Sequence, residues 1–216
     1  LGTGDYRNYA LNIENSDGSQ CCDLKFSHYE IKKGKYSLKG LPAVWADEDE
    51  ADTLEIVLKD QVSKIEVRLL YGVLSDEDII TRSAVIRNAG KNKVIIKKAA
   101  GACLDFVTGD FDVIKFYGKH AMERNMERIH IGHGTLSFGS RRGTSSHQYN
   151  PSVILADGNT TEDFGSCYGM LFAYSGNFLC EVEKDQVNQT RLLMGLNDEL
   201  FAYPLDVNEE FIVPEV

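Results

Sequence analysis

The chain has 216 residues, 43% hydrophobic and 10% aromatic, with 33 acidic against 23 basic side chains and a formal net charge of −10. That length and apolar content allow one sizeable all-β core, and the acidic balance excludes a nucleic-acid binder, which needs a basic footprint. No apolar run approaches the ~20 residues of a membrane-spanning helix, and no signal peptide stands at the start.

Taken in order, Tyr9-Ala-Leu-Asn-Ile13 reads as a short strand, followed by the turn residues Asn15-Ser-Asp-Gly18. Cys22 to Ile31 predicts a second strand with Leu24, Phe26, His28 and Glu30 on one face and Asp23, Lys25, Ser27 and Tyr29 on the other. On that pattern His28 is expected to be a hydrogen-bonded core histidine rather than a ligand. Cys21 and Cys22 should point to opposite faces, one of them buried. Gly34, Gly40 and Pro42 mark a loop ending in Val44-Trp45. The acidic run Asp47-Glu-Asp-Glu50 lacks the spacing and glycine of a calcium loop and reads as a solvated loop.

From Leu54 the alternation is clear. Leu54–Lys59, Ile65–Val73, Ile80–Arg87 and Val94–Lys98 are strands, separated by Asp60-Gln61, Asp76-Glu-Asp78 and Asn88-Ala-Gly90. Leu104–Val107 and Val113–Tyr117 are further candidates. Lys119–Arg128 is ambiguous: its charges recur at i, i+4 as in a helix, but on an extended segment they would alternate sides and reach a neighbouring strand. Ser152–Leu155, Ser166–Tyr174, Phe178–Val182, Arg191–Gly195 and Phe201–Tyr203 complete the set. A dozen or more strands without a linker predict one all-β domain over residues 1–216, a two-sheet antiparallel sandwich with little helix.

The densest run of polar donors is Phe138-Gly-Ser-Arg-Arg-Gly-Thr-Ser-Ser-His-Gln-Tyr-Asn-Pro151. It cannot be a core strand, because its polar groups would be buried without enough partners. Arg141 and Arg142 offer forks suited to carboxylates, while His147 and Asn150 can donate or accept. These four and Trp45 are the candidate contact residues toward another domain or subunit. Arg141 and Arg142 are alternatively expected to pair internally with acids such as Glu123 or Glu127.

Familiar catalytic parts are missing. There is no G-x-S-x-G elbow, H-E-x-x-H pair, phosphate loop or dinucleotide fingerprint. His130 and His133 would face opposite sides of a strand, a poor metal geometry. Ser145-Ser146-His147 has no acid to orient the imidazole. No metal, cofactor or catalytic residue is assigned, and the substrate-binding residues are unassigned. The five cysteines form no C-x-x-C pair and read as free thiols of a cytoplasmic protein. The chain lacks an initial Met and stops at Phe211–Val216 as if within a strand, as a piece of a longer protein would.

Ser140-Arg-Arg-Gly-Thr-Ser-Ser-His-Gln-Tyr-Asn-Pro151 resembles the S-R-R-G-x-S-S-H-Q-x-N-P segment of bacterial α-galactosidases (melibiases) of glycoside hydrolase family 36. Gly40-Leu-Pro42, Glu50–Ile56, Ile80-Thr-Arg-Ser83, Tyr174–Phe178, Glu181–Gln186 and Pro214-Glu-Val216 continue the likeness in the same order, from about residue 5 onward. The chain departs from that pattern at Glu123-Arg-Asn-Met-Glu-Arg-Ile-His-Ile131, where relatives tend to read E-R-x-x-E-R-R-P-L, and at Trp45, where Tyr is usual.

The resemblance implies an N-terminal β-supersandwich of the galactose-mutarotase-like type, preceding a (β/α)8 barrel absent from this chain. It implies a non-catalytic scaffold and oligomerisation role in an enzyme that hydrolyses terminal α-galactosides such as melibiose and raffinose with retention. Such hydrolysis uses two carboxylates ~5–5.5 Å apart, which the family carries on the barrel. An acidic family loop that reaches a neighbouring subunit's sugar would lie upstream of residue 1. The implied partners are the barrel itself and further copies, as a dimer or tetramer. The alternatives are a stand-alone carbohydrate-binding module, or a mutarotase-like enzyme using His147 with Glu181 or Glu183.

Overall fold

The computed structural model describes residues 4–107 and 109–216. The strands are β1 (Leu11–Glu14), β2 (Lys25–Lys33), β3 (Asp52–Lys59) and β4 (Ile65–Leu74), then, after a 3-10 turn at Ser75–Glu77, β5 (Ile79–Asn88) and β6 (Val94–Phe106). They continue with β7 (Phe111–Lys119), β8 (Met122–His130), β9 (Gly134–Ser140), β10 (Tyr149–Asp157) and β11 (Cys167–Leu171). The last are β12 (Phe178–Lys184), β13 (Thr190–Leu196), β14 (Tyr203–Leu205) and β15 (Glu210–Val213). The all-β expectation holds, and every strand pairing is antiparallel.

The strands divide into a six-stranded sheet (β1-β6-β13-β12-β9, with β14 also on β6), a five-stranded sheet (β15-β5-β4-β3-β2) and a four-stranded sheet (β11-β10-β7-β8). Two cores meet at β6. In one, Phe178, Cys180, Val182, Leu192 and Met194 pack against Val113, Val153 and Leu155 of the four-stranded sheet. In the other, Ile13, Ile96 and Leu205 pack against Ile65, Val67 and Ile86 of the five-stranded sheet. Each fully buried Leu, Ile or Phe contributes ~1.5–3 kcal/mol of apolar transfer, so the inward alternation of these strands decides where they lie.

The candidates Val94–Lys98 and Leu104–Val107 fuse into the single 13-residue β6. The residues between them, Ala99-Ala-Gly-Ala-Cys103, carry little apolar bulk and leave no sequence signal of burial. Their smallness is used: a Cβ on Gly101 would lie 2.6 Å from the Pro214 carbonyl oxygen and 2.7 Å from Val216 Cγ2. Lys119–Arg128 resolves as a hairpin. Its charges meet β7 across the ladder, Glu127 on Lys115 and Arg128 Nε on Asp112 at 2.6 Å. β9 gave no strand signal because five of the seven residues of Gly134-Thr-Leu-Ser-Phe-Gly-Ser140 are small or polar.

His28 corrects the expectation of a core histidine. A β-bulge between Phe26 and His28 breaks the alternation, pairing Phe26 with Leu58 and Tyr29 with Ile56, so both aromatics share one face. All nine residues of β2 are exposed, His28 included. Neither member of the Cys21-Cys22 pair is fully buried; Cys22 is half-buried, and burial beside Asp60 pushes its thiol up to about 12. The loop at Asp47–Glu50 is exposed, as expected, and Glu50 accepts a hydrogen bond from the Asp47 amide at 2.7 Å.

The end of the chain ties these layers together. Val216 and Arg82 exchange backbone hydrogen bonds of 2.8 and 2.9 Å, and the Ala173 amide donates to the Glu215 carbonyl at 2.8 Å. The Glu215 side chain, 1% exposed, accepts from Lys35 Nζ at 2.5 Å, and Lys35 is itself 3% exposed. The other carboxylate oxygen takes the Val44 amide, also at 2.5 Å. Lys35 Nζ stands 3.4 Å from the centroid of the Tyr36 ring, and a Cβ on Gly72 would come within 2.5 Å of Lys35 Cδ. Burial lowers the Lys35 pKa against the opposing pull of Glu215.

Removing one partner of a buried ion pair strands the other charge. Glu215→Ala is expected to lower unfolding free energy by ~3–5 kcal/mol. The double variant Lys35→Met/Glu215→Leu should recover much of that loss in urea titrations. A Glu215→Ala loss below about 1 kcal/mol would mean that the pair is not the clamp described.

Candidate functional site

The donor-rich stretch is less of a loop than its composition predicts. Phe138–Ser140 completes β9 and Tyr149–Pro151 begins β10, leaving residues 141–148 as the connection. Two asparagines from neighbouring turns hold it. Asn177 Oδ1 accepts the Gly143 amide at 2.6 Å, and Gly143, at φ +83°, takes a conformation that favours glycine. Buried Asn197 donates through Nδ2 to the carbonyls of Ser140 and Phe178, both at 3.2 Å. Ser140 Oγ donates to the Thr144 carbonyl at 2.5 Å, and the Ser145 amide donates to the Ser175 carbonyl at 2.7 Å.

Arg141 pairs with Glu199, in the turn between β13 and β14, and not with Glu123 or Glu127. Glu123 instead accepts the Ala121 amide at 2.9 Å, and Glu127 serves Lys115. Sequence proximity suggested acids from the β8 strand; the sheet order places β8 on the far edge of the four-stranded sheet. Arg142 and His147 are exposed, and among the described residues neither side chain has a hydrogen-bond partner. Asn150 is half-buried within β10 rather than on the connection. Trp45 is 77% exposed, one residue beyond the Val44 amide that Glu215 holds.

Arg141, Tyr174, Asn177, Glu199, Phe201 and Pro214 line a cavity of about 470 Å³, which Leu41 also borders. The Leu41–Trp45 segment and the 141–148 connection therefore flank the same hollow. Leu200 projects beside it, 99% exposed and at φ +62°. Leu41 and Arg141 thus border one hollow, a closeness no spacing in the sequence foretells.

Chemically the hollow is poor in acids. Glu199 is the single carboxylate among its lining residues, and Arg141 already occupies it. Retaining glycoside hydrolysis needs two. The mutarotase-like pairing does not form: Glu181 is engaged by Lys98, and Glu183 Oε2 accepts the Asn8 amide at 2.6 Å. His130 Nδ1 lies 3.0 Å from Asp112 Oδ1, and His133 Nε2 lies 3.1 Å from Asn188 Oδ1, so each imidazole has its own neighbour.

A second cavity, about 400 Å³, opens among Asp5, Arg7, Glu183 and Asp185. Here Asp5 and Asp105 alternate with Arg7 and Arg191 in a closed set of ion pairs between 2.7 and 3.4 Å. The lead segment is fastened to β6 and β13 by this set. The Arg7 side chain, aided by Arg191, holds the Asp5 carboxyl well below the usual range, and Arg191 does the same for Asp105.

The family model described as the glycosyl hydrolase family 36 N-terminal domain matches residues 1–206. The chain is 69% identical over its whole length to the bifunctional alpha-galactosidase/sucrose kinase AgaSK of Mediterraneibacter gnavus, covering 23% of that protein. It is 45% identical to alpha-galactosidase Mel36A of Lactobacillus acidophilus, covering 30%. The solved galactosidase domain of AgaSK superposes with a TM-score of 0.97 over 100% of this chain and 30% of that one. The family 36 alpha-galactosidase AgaA of Geobacillus stearothermophilus gives 0.96 at 40% identity, over 98% of this chain and 30% of that one. The chain therefore spans less than a third of the relatives it matches.

Two outcomes follow. Both partners of Arg141–Glu199 are more than half exposed, so Arg141→Ala should cost no more than about 1 kcal/mol, or about 2–4 °C in melting temperature. The depressed carboxyls Asp5 and Asp105 add stability above the ordinary aspartate value of ~3.9, and that stability is lost as pH falls through their lower folded-state values. The protection factor of the Asn8 amide, the exchange rate taken relative to that of a free peptide at each pH, should accordingly hold from neutrality to about pH 4 and fall below it. Protection of Asn8 unchanged at about pH 2 would contradict this.

Proposed function

The chain belongs to the family of glycosyl hydrolase family 36 N-terminal domains, and from that premise we propose that it is the non-catalytic scaffold domain of an α-galactosidase. In this reading the parent enzyme removes terminal α-galactosyl groups from substrates such as melibiose and raffinose with retention. The paired carboxylates reside in a catalytic domain that this chain positions. The parent works in the cytoplasm as a homo-oligomer.

One observation carries the reading. The chain matches its relatives end to end but makes up only 23–30% of their length. The polar side chains around the larger hollow support it too, because they are spent on holding loops. Asn177 and Asn197 bind backbone, Glu199 binds Arg141, and none is left as a free acid or base. What remains outward is contact chemistry: Trp45, Leu200, Arg142 and His147. A platform for sugar stacking would need several aromatic rings in a row, and here Trp45 stands apart from other exposed rings in sequence.

The isolated chain should release no nitrophenol from 4-nitrophenyl α-galactoside and give no heat with melibiose in calorimetry. A protein of the relatives' full length should release nitrophenol, and should be found in the soluble fraction of the cell. Hydrolysis by the 216 residues alone would overturn the scaffold role, and a saturable heat with melibiose would replace it with a binding module.

A further inference from the structure

The five-stranded sheet is packed on one face and only half covered on the other. On the first, Leu38 seals Leu70 and Val85, with Tyr36 and Leu41 against them. On the second, the ladder sets directly opposed residues in rows. Leu58-Val67-Ile86-Phe211 and Leu69-Ala84-Val213 meet Ile13, Ile96 and Leu205 of β1, β6 and β14 in the second core. The next rows, Ile31-Leu54-Tyr71-Arg82 and Lys33-Asp52-Val73-Ile80, belong to no hydrophobic core cluster among the described residues. Ile31 and Ile80 are 68% and 66% exposed. An apolar half-face of Ile31, Leu54, Tyr71, Val73 and Ile80 is thus left with a cation, Arg82, inside it.

That cation is sheltered but unpaired. Arg82 Nε and Nη1 are enclosed and have no hydrogen-bond partner among the described residues, and Cζ lies 5.3 Å from the centroid of the Tyr71 ring. The residue as a whole is half-buried, so part of it stays open to an incoming group. An enclosed charge without a counter-ion is costly, and a guanidinium fork matches a carboxylate. The face itself supplies none, because Asp52 is held by Lys33 at 2.9 Å. A second copy laid face to face would bring another Arg82 and no free acid, so charge complementarity selects against it.

Position favours a different occupant. The main chains of Arg82 and Val216 exchange hydrogen bonds of 2.8 and 2.9 Å, which sets Val216 at the end of the Ile31-Leu54-Tyr71-Arg82 row. In the function proposed above a catalytic domain follows Val216, and it would start from the flank of this face. We propose that the open half-face is the seat of that domain, and that one of the domain's aspartates or glutamates pairs with Arg82. This rests on the scaffold reading and gives it a keying residue, since one buried ion pair amid apolar contacts fixes a single docking position.

The test compares the 216-residue chain with a protein of the relatives' full length. In the short chain Arg82→Met removes an uncompensated charge, so the melting temperature should hold or rise. In the full-length protein the same change leaves the incoming carboxylate unpaired, and the melting temperature should fall. A residue that merely braced the sheet would lower both. A fall in the short chain, or none in the full-length protein, overturns the pairing. The face is read separately by maleimide labelling of Ile80→Cys, followed by peptide mass spectrometry. Labelling should be several-fold slower in the full-length protein than in the short chain, and equal rates overturn the docking. Labelling of the short chain that slows as its concentration rises would give the face to a second copy and overturn it too. The scaffold reading fails by another sign, a full-length protein that releases no nitrophenol.

Discussion

The buried pair of Lys35 and Glu215 is the constraint on which the arrangement depends. The Glu215 side chain is the most enclosed acid among the described residues, satisfied by an ammonium on one oxygen and the Val44 amide on the other. Its own carbonyl takes the Ala173 amide beyond the first core, while Val216 beside it extends the ladder of β5. A charge so placed tolerates no half-measures: with Lys35 and the Val44 amide present it specifies one position for residues 214–216, and without them it is a liability. The surroundings show the same exactness. Gly72 has no room for a methyl group beside the Lys35 stem, and Gly101 has none beside Pro214 and Val216.

Because that segment is held there, the hollow beside Pro214 has a fixed floor. The Leu41–Trp45 segment is drawn in through Val44, and the 141–148 connection is drawn in through Asn177 and Asn197. Two stretches about a hundred residues apart in sequence thus present Leu41 and Arg141 around one cavity, with Leu200 of the β13–β14 turn beside them. A carboxylate committed to its neighbour has little to offer a substrate, and the acids of both cavities are so committed. The same ion pairs and amide contacts that hold the loops occupy these carboxylates.

β6 is the other organiser. A strand of 13 residues serves two cores, with Ile96 at one end and Ala102 toward the other, and a run of small residues between them lets Pro214 and Val216 approach. Its partners β1, β13 and β14 come from both ends of the sequence. Such non-local pairing predicts slow folding relative to helical proteins of similar size, since long loops must close before contacts compensate for them.

Much was legible in the amino-acid order. The all-β class, most strands from Leu54 to Gly195 and the outward placing of Arg141, Arg142, His147 and Trp45 follow from period-2 burial and the cost of hiding polar groups. So does the family, through the run Ser140–Pro151. The structure overruled the sequence where a local signal was absent or ambiguous. Small residues concealed the middle of β6 and all of β9, and one inserted residue at the β2 bulge turned His28 out and set Phe26 beside Tyr29. Arg141 found Glu199 instead of nearer acids because ion pairs are chosen by distance in space, which sheet order determines and sequence separation does not. Likewise nothing around Lys35 or Glu215 in the sequence marks either as buried: charged residues read as surface. Only the tertiary structure could show them enclosed, because burying a charge is affordable solely when a partner arrives from elsewhere in the chain.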